Sequence, residues 1–317
     1  MLPPAAPFRD AAFSQLLQAS HDLWPDLSAT LRETTGIDNG FRRCGGLEIA
    51  TCEDDADHAA AAWAAAGARV ERLDSLEIAQ LCDVPGGGLP ATAGFLLPDH
   101  WQIRNPRHLQ ALERDCRRLG VELVADCPVH RVVDGPRGAR VVAADGETAC
   151  SHVVVAAGAW SDALLRPWLP PETITPVRGQ MLLLRSDIPL RHIVQIEWRP
   201  TQRASAAALG GIRYLVPRGD GHILVGATVE ATGFDARTTA AGQADLLDAA
   251  VRLLPPLANA ELVAQWAGLR PQSTGGPFIG PLPGADRIVA ATGHFRDGLC
   301  LSAMTAVRVG EVITASD

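Results

Sequence analysis

The chain lacks the features that would assign it at once to several common classes of protein. Its seven cysteines form no Cys-x-x-Cys pair, and no Gly-x-Gly-x-x-Gly run occurs in its 317 residues. No uninterrupted apolar stretch reaches the ~18 residues that span a bilayer, and the N-terminus has neither the basic nor the apolar region of a signal peptide. Scattered cysteines in odd number fit reduced thiols better than disulfides or a zinc site. We therefore predict a cytoplasmic protein.

Positive charge is also scarce. The chain has 28 Lys and Arg against 36 Asp and Glu, a formal net charge of -8, which disfavours nucleic acid or an anionic membrane as a partner. The histidines show no spacing typical of metal ligands, and no Ser-His-Asp order or nucleophile elbow is present. We expect no nucleic-acid partner, no membrane partner and no metal site.

Apolar periodicity predicts a mixed α/β chain. A helix is predicted over 8–35, where Pro25 should kink or split it, and another over 105–119, which begins at Asn-Pro and stops at a glycine. The run PGGGLPATAG at 85–94 has the residues of a turn. Further helices are predicted over 54–66, 74–82 and 238–254, and strands over 45–51, 121–125, 129–133, 139–144, 181–185, 193–198, 213–217, 222–229 and 260–269.

Two stretches show the strand, turn and helix order that places a ligand at a turn in α/β proteins. SHVVVAAGAWS at 151–161 contains an unbroken apolar strand followed by a glycine turn, the pattern of a strand buried on both faces. ATGHFRDGLCLSA at 291–303 has a Gly-rich turn that opens an apolar helix, where free N–H groups favour anions. Between them, residues 172–230 predict a mostly antiparallel sheet. The chain should therefore leave one domain, build a second and return.

Five segments occur in order: HVVVAAGAWSD, PVRGQMLLL, YLVPRGDGHILVGATVEATGFD, WAGLRPQSTGGPFIG and ATGHFRDGLCLSA. Together they resemble the D-amino-acid oxidase family of flavoproteins, and most closely the glycine oxidases of thiamine biosynthesis. The resemblance implies FAD as cofactor and a Rossmann-like FAD-binding domain with an inserted substrate domain on a mostly antiparallel sheet. It assigns residues 1–35, 100–170 and 275–317 to the FAD-binding domain, and 36–99 and 171–274 to the substrate-binding domain.

The sequence departs from the family pattern at its start. Family members begin with a strand, the Gly-x-Gly-x-x-Gly turn and a helix that bind the pyrophosphate of FAD, whereas Met1-Leu2 here resembles a later family segment that lies against the flavin. We therefore expect an N-terminally truncated FAD-binding domain. An alternative of another class is an inactive fragment, or a subunit that needs a separate dinucleotide-binding piece.

Three residues are candidates for substrate binding. Arg270 lies in the apolar, Gly-rich segment WAGLRP, and a guanidinium there is suited to grip a carboxylate; a structural arginine is the alternative. Tyr214, the only tyrosine, stands where glycine oxidases place a carboxylate-binding tyrosine, although periodicity alone makes it a core aromatic. Arg296 resembles the family arginine whose backbone carbonyl faces the substrate amine.

The resemblance also implies a set of cofactor contacts. Most are backbone contacts from the two ligand-facing turns, because a side chain in such a turn would block the nucleotide. No acid or base residue is assigned to catalysis, since the cofactor supplies the oxidation and the protein positions the substrate. The implied cofactor-binding residues are Met1, Leu2, Val129, Ala157, Gly158, Gly293, His294, Phe295, Arg296, Asp297, Gly298 and Leu299.

The reaction implied is oxidation of glycine, or of another small amine or D-amino acid, to an imine that water converts to the 2-oxo acid and ammonia. Molecular oxygen or another electron acceptor would complete the cycle, with hydrogen peroxide formed from oxygen. A D-amino-acid dehydrogenase or a sarcosine-oxidase-like enzyme is the alternative within the class. Assembly into a homo-oligomer is left open.

Overall fold

The computed structural model describes residues 1–7, 9–82, 93–136, 138–198 and 211–316. Short 3-10 turns lie at Gly158–Trp160 and Pro255–Asn259. The helices are α1 Ala11–Thr35, α2 Glu53–Ala65, α3 Ser75–Leu81, α4 Asn105–Arg118, α5 Ser161–Leu165, α6 Ala240–Leu253 and α7 Gly298–Ser316. The strands are β1 Arg42–Arg43, β2 Gly46–Ala50, β3 Glu71–Asp74, β4 Ala93–Leu97, β5 Trp101–Gln102, β6 Val129–Val133, β7 Ala139–Ala143, β8 Gly146–Cys150, β9 Val153–Val155, β10 Ile174–Arg185, β11 Ile193–Trp198, β12 Gly211–Pro217, β13 His222–Gly226, β14 Glu261–Ser273, β15 Phe278–Pro281 and β16 Ile288–Thr292.

The largest sheet has eight strands in the order β14-β10-β13-β12-β11-β2-β4-β3. Every pair is antiparallel except β11 and β2. Because strand residues alternate between faces, Leu182, Leu184 and Val225 point to one side and pack with Leu246 and Ala250 of α6 in the main core. The opposite face of β10, β12 and β13 carries Met181 and Tyr214, and it is the face that bears on function.

A second region is built around the three-stranded sheet β15-β16-β9. Strands β9 and β16 run parallel, with Ala290 opposite Val155. Helix α1 is capped by the Asp10 side chain, which accepts a hydrogen bond from the Phe13 N–H and so satisfies a free donor of the first turn. Its buried Trp24 packs in one cluster with the first turns of α7. These contacts fix the position of the α7 N-terminus.

One local prediction and part of another were wrong. Helix α1 is not split at Pro25 but continues through it to Thr35, because its packing outweighs the hydrogen bond that proline removes; a kink at Pro25 stays a prediction. Residues 121–125 form no strand; Val124 is 64% exposed and no described strand runs beside them to supply the ladder bonds. The turn at 85–94 lies outside the described residues as far as 92.

In the part of the chain that the structure describes, one helical segment, Gly298–Ala315, is long and apolar enough to cross a membrane by length and composition. It is weak evidence for a membrane span, since the core helix of a soluble protein passes the same test. Cys300, Leu301 and Ala303 of its first turns are buried in the cluster shared with α1. The absence of a membrane partner stays a prediction.

Buried histidines predict loss of stability in acid. Burial lowers the pKa of His100 from 6.5 to about 3. Below pH 6.5, His100 is protonated in the unfolded chain but stays neutral in the folded protein. Acidification therefore favours unfolding. We expect His100 alone to cost about 2 kcal/mol of unfolding free energy between pH 7 and pH 5. Urea unfolding at both pH values measures this loss, and His100→Leu should reduce it; an equal loss in the variant would contradict the assignment.

Candidate functional site

Gly226 and Gly179 leave room on the sheet for the side chains of Tyr214 and Arg270. Tyr214 of β12 lies opposite Gly226 of β13, which lies opposite Met181 of β10. A Cβ at Gly226 would stand 2.5 Å from the Tyr214 ring, and a Cβ at Gly179 would stand 2.1 Å from both terminal nitrogens of Arg270. Both side chains therefore lie flat across glycine backbone on the same face of the sheet, as close as they can come to it.

Arg270 is held by backbone oxygens. It stands in β14 opposite Val177 of β10, and its Nη1 donates to the carbonyl of Thr228 at 3.0 Å and to that of Arg178 at 3.4 Å. Among the described residues, Nη2 and Nε have no hydrogen-bond partner and no carboxylate forms an ion pair with the group. Burial lowers the pKa of Arg270. A guanidinium that is poorly hydrated and keeps unused donors is suited to bind an anion.

The loop 293–297 is fixed beside Arg270. The Phe295 N–H donates to the carbonyl of Pro271 at 2.7 Å, and His294 forms a bridge to Gln272. Gly293 has φ +79°, and a Cβ added there would lie 3.1 Å from the Cβ of Ser273, so a side chain would be strained and crowded. The loop then leads into α7, which begins at Gly298, and the first N–H groups of a helix have no partner within the helix.

Arg296 lies at the exposed tip of this loop. Its guanidinium lies 5.3 Å from the centre of the Phe295 ring. Burial raises the pKa of Tyr214, and the positive charges of Arg270 and Arg296 act in the opposite direction. The structure thus brings the three predicted substrate-binding residues within electrostatic reach of one another.

His294, Phe295 and Asp297 of the loop are half-buried. Burial raises the pKa of Asp297, against the effect of Arg296, and lowers the pKa of His294. His294 Nε2 lies 3.0 Å from Thr305 Oγ1 of α7. The loop is therefore a shaped backbone segment with few free polar side chains, as expected of a surface that contacts a ring through its backbone.

Met1 and Leu2 connect the two sides of the site. Met1 packs with Met181 and Tyr214 on the sheet face. Leu2 is fully buried with Leu301 of α7, and its backbone exchanges two hydrogen bonds with Trp101. The structure therefore brings Met1 to Tyr214 and makes Leu2 a core residue beside the α7 N-terminus. Whether either contacts a cofactor stays a prediction.

The turn at Ala157-Gly158 lies at the carboxyl end of β9. Gly158 has φ +56° and open space where a side chain would be, and its carbonyl accepts a hydrogen bond from Thr292 at the end of the parallel strand β16. Carboxyl ends of parallel strands are the usual place for a nucleotide. An open cradle there and the α7 N-terminus are features that fit FAD. Val129 lies instead in the separate sheet β6-β7-β8, 37% exposed, and its contact with the cofactor stays a prediction.

Sequence reasoning missed the support behind Arg270. Gly179 lies in the middle of β10, and a glycine inside a strand is a signal of close approach by another group. Arg178 and Glu230, which form an ion pair at 2.6 Å beneath it, gave no such signal because they are far apart in the sequence.

Comparison with known proteins decides the family. The family model described as FAD dependent oxidoreductase matches residues 2–312. The chain is 35% identical to the glycine oxidase of Pseudomonas putida over 319 residues, 99% of this chain and 82% of that protein. The chain belongs to this family of FAD-dependent oxidoreductases. It is also 30% identical to the hydrogen cyanide synthase subunit HcnC of Pseudomonas aeruginosa, over 99% of this chain and 72% of that protein.

A solved structure agrees with this placement. The crystal structure of glycine oxidase from Geobacillus kaustophilus superposes with a TM-score of 0.86 at 27% identity, covering 100% of this chain and 85% of that one. The expected family, the mixed α/β fold and FAD as cofactor are confirmed. This FAD-dependent oxidoreductase is therefore an enzyme of amine or amino-acid oxidation. The domain boundaries and the individual site residues stay predictions.

Proposed function

We propose that this FAD-dependent oxidoreductase oxidises glycine or a similarly small amino acid to the imine. The observation that carries the proposal is Arg270, a half-buried guanidinium with unused donors that lies across Gly179 beside Tyr214. A carboxylate is the natural partner for such a fork. Similarity to glycine oxidases over nearly the whole chain supports the same substrate class.

The residues would act by binding and orientation. Arg270 Nη2 and Nε bind the two carboxylate oxygens, and the Tyr214 hydroxyl donates a further hydrogen bond. The backbone carbonyl of Arg296 accepts a hydrogen bond from the substrate amine. The amine must be uncharged before the substrate Cα can lose hydride. When bound, FAD supplies the two-electron oxidation of the Cα–H bond. Water then converts the released imine to the 2-oxo acid and ammonia, and oxygen takes the electrons as hydrogen peroxide.

The remaining assignments follow the same proposal. The turns at Ala157-Gly158 and 293–299 would hold the flavin nucleotide by backbone contacts, and Met1 would pack against it. The eight-stranded sheet takes its strands from residues 46–97 and 174–273, which supports the proposed substrate-binding domain of 36–99 and 171–274. Thiamine biosynthesis is the role that the likeness to glycine oxidases suggests.

Substrate profiling tests the proposal. The purified protein, supplied with FAD, is assayed with glycine, sarcosine and D-alanine for both peroxide and 2-oxo acid. Turnover of glycine with equal amounts of peroxide and glyoxylate supports it. A strong preference for sarcosine or D-alanine would show that one of these, and not glycine, is the substrate. Oxidation only with an artificial dye as electron acceptor would indicate a dehydrogenase. No turnover of any of the three amines would overturn the proposal.

Removing the Tyr214 hydroxyl should weaken substrate binding moderately. A hydrogen bond to a charged group contributes about 1.5–3 kcal/mol, so Tyr214→Phe should raise the KM for glycine about tenfold or more while kcat falls less. The phenylalanine keeps the packing over Gly226, so the folded structure should be retained. Steady-state kinetics give the result, and an unchanged KM would show that the hydroxyl does not face the substrate.

A further inference from the structure

A buried ion pair lies directly behind the Arg270 site, on the α6 side of the sheet. Arg178 Nη2 and Glu230 Oε2 are 2.6 Å apart, with side chains 4% and 2% exposed. Glu230 also accepts hydrogen bonds from Gln180 Nε2 at 2.7 Å and from the Thr228 hydroxyl at 2.5 Å. These donors hold the pKa of Glu230 below its ordinary value in spite of burial. The carboxylate is therefore charged and tightly held.

The same residues carry the carbonyls that hold Arg270. Arg270 Nη1 donates to the carbonyls of Thr228 and Arg178. The backbones of Arg178 and Glu230 exchange two hydrogen bonds, at 2.9 and 3.0 Å. The Thr228 hydroxyl accepts from the Gln180 N–H at 2.8 Å while it donates to Glu230. The Glu230 carboxylate therefore binds the side chains of both residues whose carbonyls hold Arg270, Arg178 and Thr228, and the Glu230 N–H binds the Arg178 carbonyl itself.

We propose that the Arg178–Glu230 pair is a positioning device that holds the Arg270 guanidinium in the orientation that receives the substrate carboxylate. The inference rests on the proposed role of Arg270. A guanidinium binds a carboxylate with both free donors only when they point at the same anion. The hydrogen bonds of Nη1 to the two carbonyls fix the orientation of the Arg270 guanidinium and therefore the direction of these donors. A geometric error of even about 1 Å at such a contact is costly for binding.

The decisive comparison is between Glu230→Gln and Asp245→Asn. Asp245 forms the other buried pair on this face, with Arg213 at 2.7 Å and side chains 3% and 1% exposed, and Arg213 donates to the carbonyl of Ala227 and not to either carbonyl that holds Arg270. Both variants remove one buried negative charge and should lower thermal stability similarly. Only Glu230→Gln should raise the KM for glycine, by about tenfold, with kcat changed by less than about twofold.

Acetate gives a readout that does not depend on turnover. Its dissociation constant for the FAD-loaded protein, measured by calorimetry, should rise about tenfold in Glu230→Gln and stay unchanged in Asp245→Asn. If both variants weaken acetate binding equally, or neither does, the positioning role is overturned. If wild-type protein and Arg270→Ala bind acetate alike, the proposed function fails instead, so the two failures are distinguishable.

A milder pair of variants covers the case in which Glu230→Gln does not fold. Thr228→Val removes the hydroxyl that links the Gln180 N–H to Glu230 but keeps the side-chain shape, whereas Thr228→Ser keeps the hydroxyl. Thr228→Val should weaken acetate binding by about threefold to tenfold, and Thr228→Ser should bind acetate as the wild type does. Equal binding by the two variants would contradict the inference.

Discussion

Replacing Arg270 with alanine is expected to raise the KM for glycine by about 100-fold or more, because loss of one partner of a desolvated charge pair costs about 2–5 kcal/mol. Arg270→Lys keeps the charge but loses the fork, and its KM should lie between those of the wild type and the alanine variant. Initial rates of peroxide formation over a wide range of glycine concentrations measure both.

The control for this prediction is Arg185→Ala. Arg185 lies at the end of β10 and pairs with Glu261 at 3.3 Å, with both side chains more than half exposed. Such a surface pair contributes about 0–1 kcal/mol to stability, and its loss should leave the KM unchanged. If Arg270→Ala and Arg185→Ala bind glycine alike, Arg270 is a structural residue, and the proposed function loses its main support.

Adding a single methyl group at Gly179 should displace Arg270 without removing it. The new Cβ would lie 2.1 Å from Nη1 and Nη2 of Arg270, far inside van der Waals contact. The guanidinium is the end of a flexible side chain, so we expect it to move while the strand keeps its pairing. Gly179→Ala should weaken acetate binding and raise the KM for glycine about 10- to 100-fold, as expected for a misplaced binding group.

Gly268 offers a matched control for this substitution. It lies opposite Gly179 in the pairing of β10 with β14, yet no atom lies within 4 Å of the Cβ that alanine would add. Gly268→Ala should therefore bind acetate and turn over glycine as the wild type does, and circular dichroism should show both variants folded. Equal effects of the two substitutions would mean that strand geometry, and not the position of Arg270, controls binding.

Local sequence signals predicted most of the elements but not all of their limits. The short apolar runs in RYLVP and HILVGATV predict strands joined by turns, and β12 and β13 are found there. A similar run failed at 121–125, because an apolar run becomes a strand only where a neighbouring strand pairs with it. Strand β10 begins at Ile174, earlier than its apolar run at 181–185 indicates, because β14 pairs with it along its whole length.

The candidate site divides in the same way. The sequence by itself determined the family, the FAD chemistry and the choice of Arg270 and Tyr214, because these depend on residue types in a fixed order. Only the tertiary structure decided that Gly179 lies beneath Arg270 and that the Arg178–Glu230 pair holds the carbonyls behind it. Alternation along a strand says which residues share a face, but not which strand lies beside it. That choice depends on the non-local packing of the whole eight-stranded sheet, and no short segment of the sequence contains it.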